Sequence, residues 1–351
     1  MRFIAYSASC SWAPNTFKTT NHHLGHISLT VALHYRRSVK ARRQKQITMD
    51  TLSLTPLTEH IGAQVEGIDI RGPLSPDVVE AIHTGMDRYA VLVIKRQPLT
   101  AQQQLDFTKS LGELERSIGT SLRVPGDYRL PTTFADVSNL DKNDRPFDVR
   151  DRRRLFAIGN RLWHSDSSFK AVPAKYSILH ALSNVSQGGE TDFAHMGIAY
   201  ETLGEQTRDE VEGLICEHSQ MYSRAQIGFT DFTSEEQHRF RPVRQALVRT
   251  LPGTGRRSLF LSSHAGRVVG WTVQDSLIFL KELTEHATQP AFVYRHQWSL
   301  GDTVIWDNRQ TMHRARRFPA QESRDMRRTT LAGAGPTAEQ VEQTNTPISV
   351  T

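Results

Sequence analysis

Cysteine is scarce in this sequence: Cys10 and Cys216 are the only two among 351 residues. Two thiols cannot build a disulfide framework or a multi-cysteine zinc or iron–sulfur centre, so both are excluded. No run of about 18 apolar residues occurs, which argues against a membrane-spanning helix. The glycine-rich phosphate loops GxGxxG and GxxxxGK[ST] are also missing, so a nucleotide-binding fold is not predicted.

Acidic residues are absent from the first 48 positions, which hold eight of the 43 basic residues. The rest of the chain has 35 basic and 37 acidic residues, a net charge of −2 against +6 for the whole sequence. The basic character therefore belongs to the N-terminal segment, and the body offers no electrostatic footprint for nucleic acid.

Residues 1–48 are polar, with a late basic cluster, and lack the regular apolar pattern of the body. This composition is typical of an organellar transit peptide, although a misassigned start, with Met49 as the first residue, explains it equally well. We expect three regions: a non-folded leader at 1–48, a folded domain at 49–335 and a tail at 336–351. We predict a cytoplasmic protein, or a mitochondrial one if the leader is a transit peptide.

The body alternates short β-branched segments with a few helices. Strands are predicted at 63–70, 90–94, 176–182, 191–194, 258–261, 292–298 and 303–306. Helices are predicted after Ser75 and Thr100 and at 197–213 and 273–288, whereas the proline-containing stretch 115–161 is predicted to be a long, partly irregular loop. Many short strands with turn residues between them indicate a mixed β fold with flanking helices, built as an antiparallel barrel or double sheet.

Metal-binding residues are suggested at two places. His164 and Asp166 are two residues apart, so on an extended strand they would share a face. The segment 301–313 reads as a strand and a turn that end at His313. Two histidines and one carboxylate form the facial triad of non-haem iron(II) oxygenases, in which three coordination positions stay open. Zinc could use the same ligands.

Arginines follow His313 at a suggestive distance. Arg324 and Arg328 lie 11 and 15 residues after it. If Arg324 opens or lies in the next antiparallel strand, its guanidinium can reach back towards the metal. A chelating 2-oxo dicarboxylate would need such a planar, bidentate cation for its far carboxylate, and arginine suits this better than lysine.

The chain resembles the TauD/TfdA family of Fe(II)/2-oxoglutarate-dependent oxygenases over roughly residues 54–335. The resemblance rests on the order and spacing of several motifs: LWHSDSSF at 162–169, GGET at 188–191, EHATQP at 285–290, WDNR at 306–309, His313 and RDMRR at 324–328. Within the family it looks closer to the 2,4-dichlorophenoxyacetate (aryloxyacetate) branch than to the taurine branch. The segment Glu115–Ile118 stands where the taurine pattern has a histidine-containing stretch.

The resemblance implies a double-stranded β-helix (jelly-roll, cupin-like) core, and it also implies roles for particular residues. His164, Asp166 and His313 would be the catalytic iron ligands. Thr191 and Arg324 would bind 2-oxoglutarate. The organic substrate would meet Arg328 with its acid group, and the other implied contacts are Asn160, Ser167 and Trp306.

The implied reaction consumes O2 and converts 2-oxoglutarate to succinate and CO2 while a small organic acid is hydroxylated, and ascorbate would stimulate it. An aryloxyalkanoate would then lose its ether bond, giving a phenol and glyoxylate. The partner is a small carboxylate or sulfonate rather than nucleic acid or membrane, and a homo-oligomer, dimer or higher, is expected.

Three alternatives stay open. The same chemistry could act on an alkylsulfonate, a sulfate ester or a biosynthetic carboxylic acid. The chain could also be a non-catalytic jelly-roll binding protein, or an arginine-rich nucleic-acid binder acting through residues 1–48.

Overall fold

A computed structural model describes residues 52–116, 122, 126 and 128–341. The leader at 1–48 and residues 342–351 of the expected tail lie outside the described residues. The strands are, in chain order, β1 (Ser53–Pro56), β2 (Ala63–Glu66), β3 (Val91–Ile94), β4 (Ala135–Asp136), β5 (Tyr176–Ala181), β6 (Thr191–His195), β7 (Ile215–His218), β8 (Val243–Ala246), β9 (Val248–Thr250), β10 (Arg257–Leu259), β11 (Ala265–Val268), β12 (Val293–His296), β13 (Thr303–Asp307), β14 (Thr311–Ala315) and β15 (Met326–Thr330).

Several helices begin at a capping side chain. Ser75 and Thr100 accept a hydrogen bond from the first turn of their helices, as the sequence predicts, and each satisfies a backbone N–H that has no partner within the helix. The α-helices are α1 (Pro76–Tyr89), α2 (Ala101–Ser110), α3 (Arg152–Ala157), α4 (Met196–Glu201), α5 (Glu205–Val211), α6 (Gln220–Ala225), α7 (Ser234–Arg239) and α8 (Val273–Ala287); 3₁₀ turns cover Ile158–Arg161 and Pro290–Phe292.

The largest sheet has seven strands in the order β1-β2-β3-β13-β5-β15-β4. All of its pairings are antiparallel except β2 with β3. One face is covered by α1 and α2, because Leu92, Ile178 and Ile305 from the strands are buried in one cluster with Met86 and Phe107 from the helices. This coverage leaves the opposite face for the rest of the core.

A three-stranded antiparallel sheet, β12-β6-β14, faces the large sheet. Phe193 of β6 is buried in one cluster with Val304 and Trp306 of β13, and its ring centroid lies 5.4 Å from that of Trp306. The fold is therefore mixed sheet and helix, with two sheets packed face to face. Two smaller sheets, β10-β9 and β11-β7-β8, extend it.

The structure has strands that the sequence analysis did not predict, among them β1, β7, β8 and β11, and three further differences concern segments that were assigned. The helix predicted at 197–213 is two helices, because the chain turns at Gly204, the N-cap of α5. Part of the loop predicted at 115–161 is ordered as β4, α3 and the 3₁₀ turn Ile158–Arg161. Residues 164–166 do not form a regular strand: His164 makes an isolated bridge, and a turn begins at Asp166.

Part of the expected tail is attached to the domain. The Thr337 hydroxyl donates to Gln245, and Gln340 exchanges hydrogen bonds with the backbone of Arg244. These contacts hold the described part of the tail against β8. Across the described residues, no helix is both long enough and apolar enough to cross a membrane.

Candidate active site

The three proposed metal ligands meet between the two sheets. His313 lies in the middle of β14, and His164 follows the 3₁₀ turn Ile158–Arg161. The two residues exchange backbone hydrogen bonds, His164 N to His313 O at 3.0 Å and His313 N to His164 O at 2.8 Å. This bridge aligns two segments that are about 150 residues apart in the chain and places their rings 4.2 Å apart, centroid to centroid.

Their donor atoms surround one small volume. One ligand atom each from His164, Asp166 and His313 lies within 4.8 Å of the other two, and all three residues are buried. Nε2 of His164 is 4.0 Å from one Asp166 oxygen, and Nε2 of His313 is 3.7 Å from the other. Two imidazoles and one carboxylate arranged in this way match the donor set of a facial triad.

The imidazoles are set up to be neutral ligands. His164 Nδ1 lies 2.8 Å from the carbonyl oxygen of Leu162, which can only accept, so Nδ1 carries the proton and Nε2 presents its lone pair to the metal position. Burial lowers the pKa of His164 and lowers that of His313 well below its ordinary value, and the neighbouring arginine charges add to the effect. A neutral imidazole is the form that binds a metal.

Asp166 is held by a hydrogen-bond network that the sequence analysis did not identify. Its Oδ2 accepts from the Ser177 hydroxyl at 2.7 Å, and its backbone N–H donates to Asn308 Oδ1 at 3.2 Å. Asn308 also binds Ser177 and the Trp306 indole N–H, both at 3.0 Å. Burial raises the pKa of Asp166, but the Arg328 guanidinium, the two histidines and the Ser177 hydrogen bond together outweigh burial, and the net pKa is about 2. The carboxylate is therefore ionised at neutral pH.

Arg324 is a buried cation without a counter-ion. Its side chain donates to the carbonyl oxygens of Val137 at 3.4 Å and Gly189 at 3.3 Å, and the residue is 6% exposed. No acidic side chain in the described part of the chain pairs with it, and burial lowers its pKa to about 10. An unpaired buried charge is costly, so the site is suited to an anionic ligand.

The route by which Arg324 reaches the site differs from the sequence prediction. Arg324 precedes β15, which pairs with β5 of the large sheet, whereas His313 belongs to β14 of the small sheet. The two residues are thus on facing sheets and not on neighbouring antiparallel strands. Thr191 of β6 lies across the same cavity. Its hydroxyl oxygen accepts the Trp298 indole N–H at 3.0 Å, which leaves its own proton to donate to a ligand.

The remaining candidates divide into two groups. Arg328 donates from Nη1 to Asp166 Oδ1, and its Nε is buried with no partner among the described residues. Asn160 accepts from Arg224 at 3.3 Å, and the buried Trp306 ring lies 4.7 Å from that of His313. All three line cavities at the site. Ser167 is different: it is 2% exposed and its hydroxyl donates to Glu115 at 2.7 Å, so this proton is engaged within the protein.

Three connected cavities surround these residues. The inner cavity contains the metal position and Arg324; it is lined by Val137, Asn160, His164, Leu179, Thr191, Trp306, His313, Ala315, Arg324 and Arg328. The phenylalanine cavity opens from the triad and is lined by Phe134, Phe147, Phe156 and Phe169 together with Leu130, Arg153, His164, Asp166, Arg224, His264 and Arg328, among others. The arginine cavity opens beside Arg324; Arg154, Arg161, Phe318 and Ala320 are among its lining residues.

Two further buried histidines, His264 and His218, have different positions relative to the site. The His264 ring lies 5.8 Å from that of His164, and His264 lines the phenylalanine cavity. His218 instead stacks on Phe260 at 5.7 Å. Arg224, which also lines the phenylalanine cavity, was missed because a single arginine on a short helix carries no pattern. Ser177 and Asn308 were missed because each acts only through a contact between distant segments.

Comparisons with known proteins show the family to which this chain belongs. The family model "Taurine catabolism dioxygenase TauD, TfdA family" matches residues 53–330. Two relatives are α-ketoglutarate-dependent 2,4-dichlorophenoxyacetate dioxygenases. The one from Cupriavidus pinatubonensis is 41% identical over 78% of this chain and 96% of its own, and the one from a Burkholderia species is 39% identical over 77% and 91%.

A solved structure is similar over the same region. AAD-2 in complex with Mn(II) and N-oxalylglycine has a TM-score of 0.81 and 48% identity, covering 82% of this chain and all of that one. The residues that the family model matches, 53–330, contain both sheets and every residue of the candidate site. The chain therefore belongs to the TauD/TfdA family of dioxygenases.

Proposed function

We propose that this protein is an Fe(II)- and 2-oxoglutarate-dependent dioxygenase that hydroxylates a small organic acid, with an aryloxyalkanoate such as 2,4-dichlorophenoxyacetate as the favoured substrate. The observation that carries the proposal is one inner cavity lined by His164, His313 and Arg324, a cation with no acidic partner among the described residues. Asp166 completes the donor set, with its ligand atom within 4.8 Å of those of the two histidines. This combination suits a metal ion and an anionic chelator side by side. A zinc hydrolase would have no use for Arg324.

His164, Asp166 and His313 would hold Fe(II), and Arg324 with Thr191 would bind the far carboxylate of 2-oxoglutarate. When bound, iron and 2-oxoglutarate supply the activation of O2 that hydroxylates a C–H bond and yields succinate and CO2. Ascorbate would help by keeping the iron reduced. The protein aligns both reactants and keeps the inner cavity between the two sheets shielded from water.

The phenylalanine cavity supports an aromatic acid as substrate. Its aromatic side chains offer an apolar wall for an aryl ring, while Arg328 has a buried Nε with no partner in the described part of the chain. Arg328 would bind the acid group, Asn160 would contact the substrate, and Trp306 would support the reacting end. Hydroxylation of the carbon next to the ether oxygen gives a hemiacetal, which collapses to a phenol and glyoxylate.

The two face-to-face sheets support a double-stranded β-helix core as the finer description of the fold, with the ligands of β14 and the 162–166 segment at one end of it. A homo-oligomer and a cytoplasmic location complete the proposal. Size measurement by light scattering and localisation of a tagged full-length chain test these two points.

The proposed reaction is tested by a panel of acids incubated with iron-loaded protein, 2-oxoglutarate and O2. Succinate and free phenol should form in equal amounts with an aryloxyacetate, and His313→Ala protein should form neither. Succinate release with an alkylsulfonate or a sulfate ester, but not with any aryloxyalkanoate, would move the proposal to that substrate class. No substrate-dependent succinate from any acid, together with no metal binding in calorimetry, would overturn it.

A further inference from the structure

Two of the cavities, the phenylalanine cavity and the arginine cavity, adjoin the inner cavity and form its outlets, and Asp136, Ser138, Phe147 and Ala157 line both of them. Val137 and Asn160 line the inner cavity, the phenylalanine cavity and the arginine cavity. The phenylalanine cavity shares His164 and Arg328 with the inner cavity, whereas the arginine cavity shares Ala315 and Arg324. One outlet therefore reaches the metal position, and the other reaches the far carboxylate position.

The arginine cavity carries a graded series of positive charges. Arg317, in the segment just before Phe318, is exposed, Arg154 and Arg161 are half-buried, and Arg324 is buried. Within the described residues none of these four pairs with an acidic side chain. Their charges act on one another: the pKa of Arg161 is lowered first by burial and then by Arg154 and Arg317, and Arg161 in turn lowers the pKa of Arg324.

The Phe318 ring lies near two guanidinium groups, the half-buried one of Arg161 and the buried one of Arg324. Its ring centroid lies 6.0 Å from Arg161 Cζ and 5.7 Å from Arg324 Cζ. Both guanidinium groups therefore lie close to one side chain of the arginine cavity, one half-buried and one buried. A single guanidinium would suffice for binding at the end point, so the outer arginines need another explanation.

We propose that the arginine cavity is a separate access route for the dicarboxylate cosubstrate and for its dicarboxylate product, while the organic acid enters by the phenylalanine cavity. The inference rests on the proposed function. A dianion gains twice the attraction of a monoanion from the same field, so the arginine series would select the dicarboxylate during its approach. Two routes also let 2-oxoglutarate exchange while the organic acid occupies its own pocket.

The first test measures association of 2-oxoglutarate with Mn(II)-loaded, full-length protein by stopped-flow tryptophan fluorescence, without turnover. The reporters are Trp306, which lines the inner cavity, and Trp298, which binds Thr191. Arg161→Gln should lower the association rate constant about 3- to 10-fold at low ionic strength, and the difference should vanish near 0.5 M salt.

Arg153→Gln is the matched control, because Arg153 lies on α3, directly before the 3₁₀ turn that ends at Arg161, but lines the phenylalanine cavity. It should change the rate constant by less than about twofold. Equal rate constants for Arg161→Gln and the unmodified protein at low salt would overturn the proposal, and so would an equal loss in Arg153→Gln.

The second test blocks each outlet in turn. Ala320→Trp, in the arginine cavity, should slow 2-oxoglutarate association and leave the equilibrium binding of 2,4-dichlorophenoxyacetate unchanged. Leu130→Trp, in the phenylalanine cavity, should weaken the binding of 2,4-dichlorophenoxyacetate and leave 2-oxoglutarate association unchanged. Slower 2-oxoglutarate association in Leu130→Trp, with none in Ala320→Trp, would show that both ligands use the phenylalanine cavity and would overturn the inference. Thermal unfolding of both variants checks that the fold is intact, and Arg161→Gln serves if either variant is destabilised.

The third test measures 2-oxoglutarate association with the unmodified protein in the presence of saturating 2,4-dichlorophenoxyacetate. The association rate constant of 2-oxoglutarate should stay within about twofold, since the second route remains open, and a tenfold drop would overturn the inference. Failure of the proposed function looks different: it would appear as an unchanged equilibrium affinity for 2-oxoglutarate in Arg324→Gln, whatever the rates show.

Discussion

His164 and His313 are joined to each other by two backbone hydrogen bonds, 3.0 and 2.8 Å long, before any metal is considered. The bridge places two imidazoles from segments about 150 residues apart in the chain 4.2 Å apart, centroid to centroid. The backbone at the metal site is thus fixed by the fold, and a ligand side chain can be removed while the bridge that positions it remains.

This arrangement predicts that His164→Ala, Asp166→Ala and His313→Ala each abolish turnover while the fold is kept, because the backbone bridge does not depend on the side chains. Calorimetry with Mn(II) should show lost metal binding, and circular dichroism should be unchanged. His238→Ala, at an exposed position on α7, is the control and should behave like the unmodified protein. Near-normal succinate formation by a ligand variant would contradict the assignment.

Substitution of Arg324 and substitution of Arg328 should weaken the binding of different ligands. Removing one partner of a buried ion pair costs about 3–5 kcal/mol, or roughly 10²–10³-fold in affinity. Arg324→Ala should weaken the binding of 2-oxoglutarate by this factor, whether or not the organic acid is present. Arg328→Ala should weaken the organic acid by a similar factor and leave 2-oxoglutarate nearly unchanged, and it should also uncouple O2 consumption from product.

Anaerobic titrations of the iron-loaded protein, first with 2-oxoglutarate and then with the organic acid, separate the two effects. Lysine at either position should restore only part of the affinity, because it keeps the charge but not the bidentate geometry. If Arg328→Ala loses 2-oxoglutarate while Arg324→Ala loses the organic acid, the two roles are reversed.

Gly188 should tolerate no side chain. Its φ is +74°, and a Cβ would lie 2.1 Å from the carbonyl oxygen of Arg317. Gly188→Ala should therefore lower the free energy of unfolding by about 2 kcal/mol or more and weaken 2-oxoglutarate by displacing Thr191. Gly228 has a φ of +75° with no atom within 4 Å, so Gly228→Ala should cost only about 1 kcal/mol. Equal losses in urea unfolding would contradict the steric argument.

His180 should make stability depend on pH. Its Nε2 accepts the Leu99 backbone N–H at 3.1 Å, so the ring is neutral in the fold, and burial lowers its pKa from 6.5 to about 4. The unfolded chain binds the proton more tightly, so this contribution is complete above pH 6.5 and is lost as the pH falls towards 4. The loss should reach about 2–3 kcal/mol.

Urea unfolding at pH 7 and pH 5 measures the effect. His180→Gln, whose side-chain oxygen can still accept the Leu99 N–H, should show a smaller difference between the two pH values. His238→Gln at the exposed position should keep the full difference. An identical pH dependence in His180→Gln would contradict the assignment.

The sequence by itself determined part of the secondary structure and the residues that we propose carry the chemistry. Helix caps at Ser75 and Thr100 and the strands near 91–94 and 303–307 follow from local patterns, which depend on neighbouring residues alone. The motifs around His164, His313 and Arg324 also indicated the family, because their order and spacing are visible in one dimension.

The tertiary structure decided how those residues meet. The sequence suggested that His164 and Asp166 share a face of a strand, but a turn and the bridge to His313 bring them together. It also suggested that Arg324 follows His313 on a neighbouring strand, but the two approach from facing sheets. Contacts such as Ser177 and Asn308 with Asp166 join segments far apart in the chain, and no local pattern records them, because sheet packing alone creates the contact.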